Sequence, residues 1–268
     1  MTTRIVTGAG LLAVLAFAVI MGSWVFAVLF MAALCMCVYE VYRALKGAGN
    51  HLVEWPVWVC VVISVPLFVL TKSAVLPLFL SVCACFLVCT NIVFRGEPKL
   101  EDLTASCLPL VSILMPGLCM LAFLQADSRR IQSMMIILSF GIPLMGDTLA
   151  YFIGSRYGVK KLCPAVSPNK TVEGAVAGLF GSILFSVLCA VCFGFSGEIP
   201  ALWKFLILGL VGGFAGEIGD LFASLVKRHC KVKDFGTLFP GHGGMMDRLD
   251  SVFFSTVVVY IFYCIVNV

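Results

Sequence analysis

Along this chain apolar residues fall in long blocks separated by short polar connections. Nine blocks stand out, at approximately 5–22, 24–41, 53–71, 74–94, 106–125, 133–154, 174–195, 202–226 and 251–267. A helix rises about 1.5 Å per residue, so roughly 20 apolar residues cross the ~30 Å of hydrocarbon in a bilayer. The blocks lack the alternation of roughly ten-residue barrel strands. The pattern predicts an all-α, polytopic integral membrane protein with about nine transmembrane helices. The first block could pass for a cleaved leader, since Arg4 precedes it. A second block follows almost at once around Ser23, so the first reads as a span.

Composition agrees. Of 268 residues, 61% are apolar and 12% charged, whereas soluble domains run near ~45–50% and about 25%. Such a chain cannot wet the surface of a globule, which excludes a soluble enzyme, a disordered chain and a disulfide-stapled module. Most of the 13 cysteines sit inside apolar blocks, where a thiol acts as a small hydrophobe. Cys189 and Cys192 have CxxC spacing, but mid-span and with no second ligand pair, so helix packing is expected of them. The net charge of +4 says less than its distribution. Fourteen of the 18 Lys and Arg fall at the N-terminus or after blocks 2, 4, 6 and 8; Lys72, Arg129, Arg130 and Lys204 face the other way. Positive charge marks the cytoplasmic side. The N-terminus is therefore expected in the cytoplasm and Val268 opposite. No nucleic-acid partner is expected.

Blocks 1–5 carry almost nothing ionisable apart from Glu40 near an end, so residues 1–130 read as a membrane scaffold and 131–268 as the region that carries the candidate chemistry. The longest connections, 155–173 and 227–250, both fall on the predicted cytoplasmic face, and long connections in an economical chain usually carry function. Asp147, Glu217 and Asp220 lie at or near membrane depth. An isolated charge there costs at least ~2.5–3.5 kcal/mol, so these carboxylates must be paired, face a polar cavity or hold an ion. A structural Asp–Lys pair near the headgroups would also satisfy any one of them. At about 100° per residue, Glu217, Asp220, Ser224, Lys227 and Arg228 share one helix face, acidic in its deep part and basic at the cytoplasmic end. That stripe suits a cation held by carboxylates with phosphates bound above it.

The next connection reads Lys233-Asp234-Phe235-Gly236-Thr237-Leu238-Phe239-Pro240-Gly241-His242-Gly243-Gly244-Met245-Met246-Asp247-Arg248-Leu249-Asp250. Gly241, Gly243 and Gly244 allow positive φ and close backbone approach, and exposed amides in such turns cradle anions. If a helix begins near Asp247, Asp247 and Asp250 share one face, and carboxylates with substrate phosphates make a Mg²⁺ environment. A flexible turn capped by Asp is the plain alternative. In the other loop, Ser167-Pro168-Asn169-Lys170-Thr171-Val172-Glu173-Gly174 precedes block 7. Thr171 or Asn169 could cap that helix, with Glu173 in its first turn. Capping does not need Lys170 or Lys160-Lys161; a phosphate-binding helix start accounts for all of them.

Residues 224–250, with Ser224, Lys227, Arg228 and the run Lys233–Asp250, resemble the signature of the CDP-diacylglycerol synthases, or phosphatidate cytidylyltransferases. Asp147-Thr148-Leu149-Ala150-Tyr151 and the Ser167–Gly174 segment resemble further family motifs in the same order. The motifs span 147–250; blocks 1–5 resemble the family only in hydropathy and length. The resemblance implies that CTP and phosphatidate give CDP-diacylglycerol and pyrophosphate in phospholipid biosynthesis, with Mg²⁺ and a second cation, in a membrane-bound homodimer. It implies Asp220 and Asp247 as Mg²⁺ ligands, with Asp250 and Ser224 near the second cation. Lys227, Arg228, Lys233, His242 and Arg248 would meet phosphates alongside the Gly243-Gly244 turn. Asp147, Ser167, Asn169, Lys170 and Thr171 would complete the polar cavity.

That chemistry needs no nucleophilic side chain. A phosphomonoester is anionic at neutral pH and can attack the α-phosphorus of CTP; the obstacle is bringing two polyanions together, which calls for cations and in-line positioning. His242 therefore reads as a phosphate donor or loop organiser rather than a base. The cleft is expected to open to the cytosol for CTP and to the bilayer for the lipid. Two rivals remain: a CTP-dependent polyprenol or phytol kinase, which would release CDP, and an ion-coupled transporter relaying through Asp147, Glu217 and Asp220. The transporter predicts two related halves with broken helices.

Overall fold

The structure is a computed structural model of the chain that describes residues 2–73, 75–126, 128–194 and 202–266. In chain order the helices are α1 (Thr2–Met21), α2 (Ser23–Gly47), α3 (Trp55–Thr71), α4 (Val75–Val93), α5 (Leu100–Pro109), α6 (Met115–Ala122), α7 (Arg129–Tyr157), α8 (Val172–Gly194), α9 (Leu202–His229) and α10 (Met246–Val266). A π-helical stretch, Leu110–Leu114, joins α5 to α6 just after Pro109, where the missing amide of proline interrupts the regular ladder. Among the described residues, seven helices are long and apolar enough to cross a membrane, counting Leu100–Gln125 as one. Two more apolar helices, Thr7–Met21 and Trp55–Thr71, are shorter. The protein is thus a polytopic helical membrane protein.

The chain is not purely helical. Within 155–173, expected as a loop, α7 continues to Tyr157, and β1 (Lys161–Cys163) pairs antiparallel with β2 (Ser167–Thr171), Lys161 opposite Thr171. Three- and five-residue strands are too short to show a hydrophobic alternation, so the sequence pattern had nothing to reveal. Likewise the connection expected at 227–250 shrinks to 230–245, because α9 runs on to His229 and α10 starts at Met246.

Two compact units emerge. The first comprises Met1–Gln125 with Lys227–Arg248. Its core gathers Leu34, Cys37, Val38, Val57, Val61, Leu114, Leu121 and Phe123, all essentially inaccessible. Tyr42 enters this core with its hydroxyl donating to the Ser106 carbonyl at 2.7 Å, as a buried phenol requires. The second unit comprises Ala126–Val226 with Leu249–Val268. It is built on small residues. Cβ atoms added at Gly146, Gly178 or Gly181 of the α7–α8 pair would meet the facing helix's backbone oxygens at 2.8–3.3 Å. Between membrane helices no hydrophobic force exists, so close backbone approach through glycine supplies the van der Waals attraction. On α9, Gly209, Gly212, Gly213, Gly216 and Gly219 are buried, while Leu206, Leu210 and Phe214 are exposed, as a helix facing lipid on one side requires. No disulfide joins the thirteen cysteines among the described residues; Cys37, Cys60, Cys189 and Cys230 are buried, whereas Cys192 and Cys264 are exposed.

Candidate functional site

Helix α9 is continuous from Leu202 to His229, so Glu217, Asp220, Ser224, Lys227 and Arg228 do share one helix. In the second unit, Lys170 at the end of the hairpin sends its ammonium to two of them, 2.9 Å from Glu217 Oε1 and 2.7 Å from Asp220 Oδ2. The side chains are 22%, 16% and 28% exposed, sheltered enough for the attraction to act at reduced dielectric. Burial works against the Lys170 charge, but the Asp220 and Glu217 carboxylates outweigh it and hold the ammonium above the ordinary lysine range. The position expected to greet phosphate is therefore engaged with acids.

The start of α8 is capped from the same strand: Thr171 Oγ1 accepts from the Gly174 amide at 3.2 Å. Glu173 in its first turn accepts from the amides of Val159 and Lys160 at 3.1 and 3.2 Å, closing the hairpin's base. Thr171 thus caps α8, while Glu173 ties the chain after α7 back to the helix start. Ser167 is half-buried and Asn169 exposed on β2; Asp147 is exposed on α7. Asp250 is buried and accepts from the Ser251 amide. Its carbonyl oxygen would lie 2.6 Å from a Cβ at Gly219, so that glycine lets α10 approach α9 one residue before Asp220.

In the first unit the glycine-rich segment wraps Asp247, whose side chain is 2% exposed. Oδ1 accepts from Lys227 Nζ at 2.8 Å; Oδ2 accepts from the Phe235 and Gly244 amides at 2.8 and 2.9 Å. A carboxylate offers about four lone-pair sites, so three are taken. The Lys227 ammonium also lies 5.4 Å from the Phe235 ring centroid, within cation–π range. Gly241 and Gly243 adopt φ of 78° and 81°, the left-handed turn expected of them. Gly244 instead serves space: a Cβ there, or at Gly236, would overlap the carboxylate of Glu40.

Glu40, which its apolar block marks only as scaffold, also belongs to this turn. It is 1% exposed on α2, and its oxygens accept from the Met245 and Met246 amides at 3.0 and 2.9 Å. Arg43, one turn on, donates to the Phe235 carbonyl at 2.8 Å. The signal was present: a lone acid in an apolar block must find a partner. This changes the expectation for the turn. Its amides at Gly244, Met245 and Met246 do form an anion cradle, but the anions are the protein's own Asp247 and Glu40. The imidazole Nδ1 of His242 is buried without a hydrogen-bond partner among the described residues. Arg228, Lys233 and Arg248 are exposed, and Ser224 is half-buried.

The sequence profile of the cytidylyltransferase family matches residues 2–266. The chain belongs to that family. Among its relatives, a phosphatidate cytidylyltransferase of Staphylococcus saprophyticus is 43% identical over 119 residues, covering 44% of this chain and 45% of the relative. Those of Staphylococcus aureus and Staphylococcus epidermidis are 37% and 38% identical over 145 and 146 residues, covering 54% of each chain. The chain spans about half the length of the curated relatives it matches. In this family member, among the described residues, no three His, Cys, Asp or Glu side chains are gathered closely enough to hold a metal ion alone.

Proposed function

We propose that this cytidylyltransferase-family protein transfers CMP from CTP to phosphatidate, giving CDP-diacylglycerol and pyrophosphate. The observation that carries the reading is the buried Lys227–Asp247 pair under a glycine-rich turn, in a chain whose profile match runs from residue 2 to 266. A phosphatidate phosphate oxygen forms the new bond to the α-phosphorus of CTP, and the bond from that phosphorus to the bridging oxygen of the departing pyrophosphate breaks. No general base is required, because the attacking oxygen is already anionic.

The donor set fits a divalent cation. Glu217 and Asp220 already close on one cationic group, the Lys170 ammonium. Hard oxygen donors completed by substrate phosphates are how Mg²⁺ is usually held. In this reading Asp220 and Asp247 hold Mg²⁺, and Asp250 with Ser224 lies near a second cation. When bound, the ion neutralises charge on the phosphates and orients them. Lys227, Arg228, Lys233, His242 and Arg248 clamp phosphate oxygens, His242 through its unpartnered imidazole nitrogen. Asp147, Ser167, Asn169 and Thr171 line the polar cavity beside Lys170, and Gly243-Gly244 shape the turn. Residues 131–268, with the N-terminal helices as scaffold, make the catalytic region. The N-terminus lies in the cytoplasm, the cleft faces CTP there, Val268 lies opposite, and the protein works as a homodimer.

The test is incubation of detergent-purified protein with CTP, phosphatidate and Mg²⁺, with and without chelator, measuring both lipid product and pyrophosphate. CDP-diacylglycerol and pyrophosphate in equal amounts, abolished by chelator, is the expected result. Release of CDP would instead identify a lipid kinase, and neither product would end the proposal.

A further inference from the structure

We propose that Glu40, far from the signature in sequence, is a positioning residue that sets the orientation of Asp247. The helix α10 begins at Met246, and the first amides of any helix have no partner within it. Here the Met246 amide, with the Met245 amide just before the helix, goes to the two oxygens of one carboxyl group, 206 and 205 residues away in the chain. The neighbouring Gly244 amide goes to Asp247 Oδ2. Three successive amides are thus divided between two carboxylates, one from α2 and one from α10 itself. Charge-assisted hydrogen bonds of this kind are short and directional, and Glu40 is buried where water cannot replace it. Gly236 and Gly244 both lack the Cβ that would displace the Glu40 carboxylate, so the turn is shaped around it. Arg43 fixes the other strand of the turn through the Phe235 carbonyl, and the Phe235 amide in turn bonds Asp247. Helix α2 therefore grips both sides of the segment that presents Asp247. Without Glu40 the Met245 and Met246 amides are left unpaired, and the helix start that aims Asp247 is free to reorient.

The catalytic half of the test rests on the proposed cytidylyl transfer; the other half does not. Glu40→Gln, Glu40→Asp and Glu40→Ala are purified in detergent and compared with the parent protein by amide hydrogen exchange and by steady-state kinetics. Faster exchange, by about tenfold or more, is expected at residues 235–247 in Glu40→Gln and Glu40→Ala, with α7 and α8 unchanged. The kcat should fall about 10–100-fold, the usual cost of losing a group that orients a ligand. KM for CTP should change less than kcat, more Mg²⁺ should be needed for half-maximal rate, and Glu40→Asp should recover part of the loss. Unchanged exchange at 235–247 in Glu40→Ala would overturn the proposal even if no substrate is turned over. So would a uniform rise in exchange across the whole chain in Glu40→Gln, since that marks a residue that merely supports folding. A parent protein without cytidylyl transfer, but with the selective exchange pattern, would leave the positioning role standing and remove only the reaction.

Discussion

Replacing Asp247 by Asn tests the centre of the site, because the change preserves shape and removes charge. The parent carboxylate serves three donors, the Lys227 ammonium on one oxygen and the Phe235 and Gly244 amides on the other. An amide cannot satisfy both sides. If its oxygen keeps the two backbone amides, its NH₂ faces the Lys227 ammonium; turned round, it faces two N–H groups. Each buried donor left unpaired costs about 1–3 kcal/mol, and breaking a buried ion pair costs about 3–5 kcal/mol. The Lys227 side chain is 13% exposed, so some water reaches it and the lower end applies, about 3 kcal/mol. Lys227→Met added to Asp247→Asn removes the stranded ammonium and should recover about 1–3 kcal/mol, the coupling expected of groups in contact. Thermal or denaturant unfolding of purified protein measures the stability cycle, and transfer from labelled CTP measures turnover. The single variant should insert and fold yet lose turnover. Additive stability losses would refute the buried-pair argument. Near-parental transfer from labelled CTP by Asp247→Asn would refute the metal assignment.

Lys227→Ala should raise KM for at least one substrate, measured by varying CTP and phosphatidate separately; two unchanged values would remove it from the phosphate clamp. Lys170→Met should destabilise the protein by about 1–3 kcal/mol, because Glu217 and Asp220 then repel each other half-sheltered from water, and millimolar Mg²⁺ should restore the unfolding temperature. Absence of that rescue would show that the two carboxylates do not accept a divalent ion. Gly219→Ala puts a methyl group 2.6 Å from the Asp250 carbonyl oxygen; overpacking of this kind costs about 1–3 kcal/mol. Both unfolding temperature and turnover should fall, against Gly47→Ala as control, where the added methyl meets nothing within 4 Å among the described residues.

Legibility differed from residue to residue. Asp220, Lys227 and Asp247 could be found because a charge in or beside an apolar block is costly, and their spacing put the first two on one helical face. Gly241 and Gly243 could be found because left-handed turns select glycine. Glu40 carries the same cost, but nothing local says that it will meet amides some 200 residues later. Lys170 illustrates the opposite case: its neighbourhood suggested a phosphate, and in the structure it pairs with two carboxylates of α9.

Hydropathy by itself determined that this chain builds membrane helices, since burial of apolar surface depends on composition and period rather than on which element packs where. It also marked which polar residues needed an explanation. Only the tertiary structure decided which donors meet which acceptors: that Lys170 joins Glu217 to Asp220, that Glu40 and Asp247 divide the amides of one turn, and that Gly219 admits the Asp250 carbonyl. Hydrogen bonds and close backbone contacts are pairwise and directional, and for these residues the partner lies on another element of the chain.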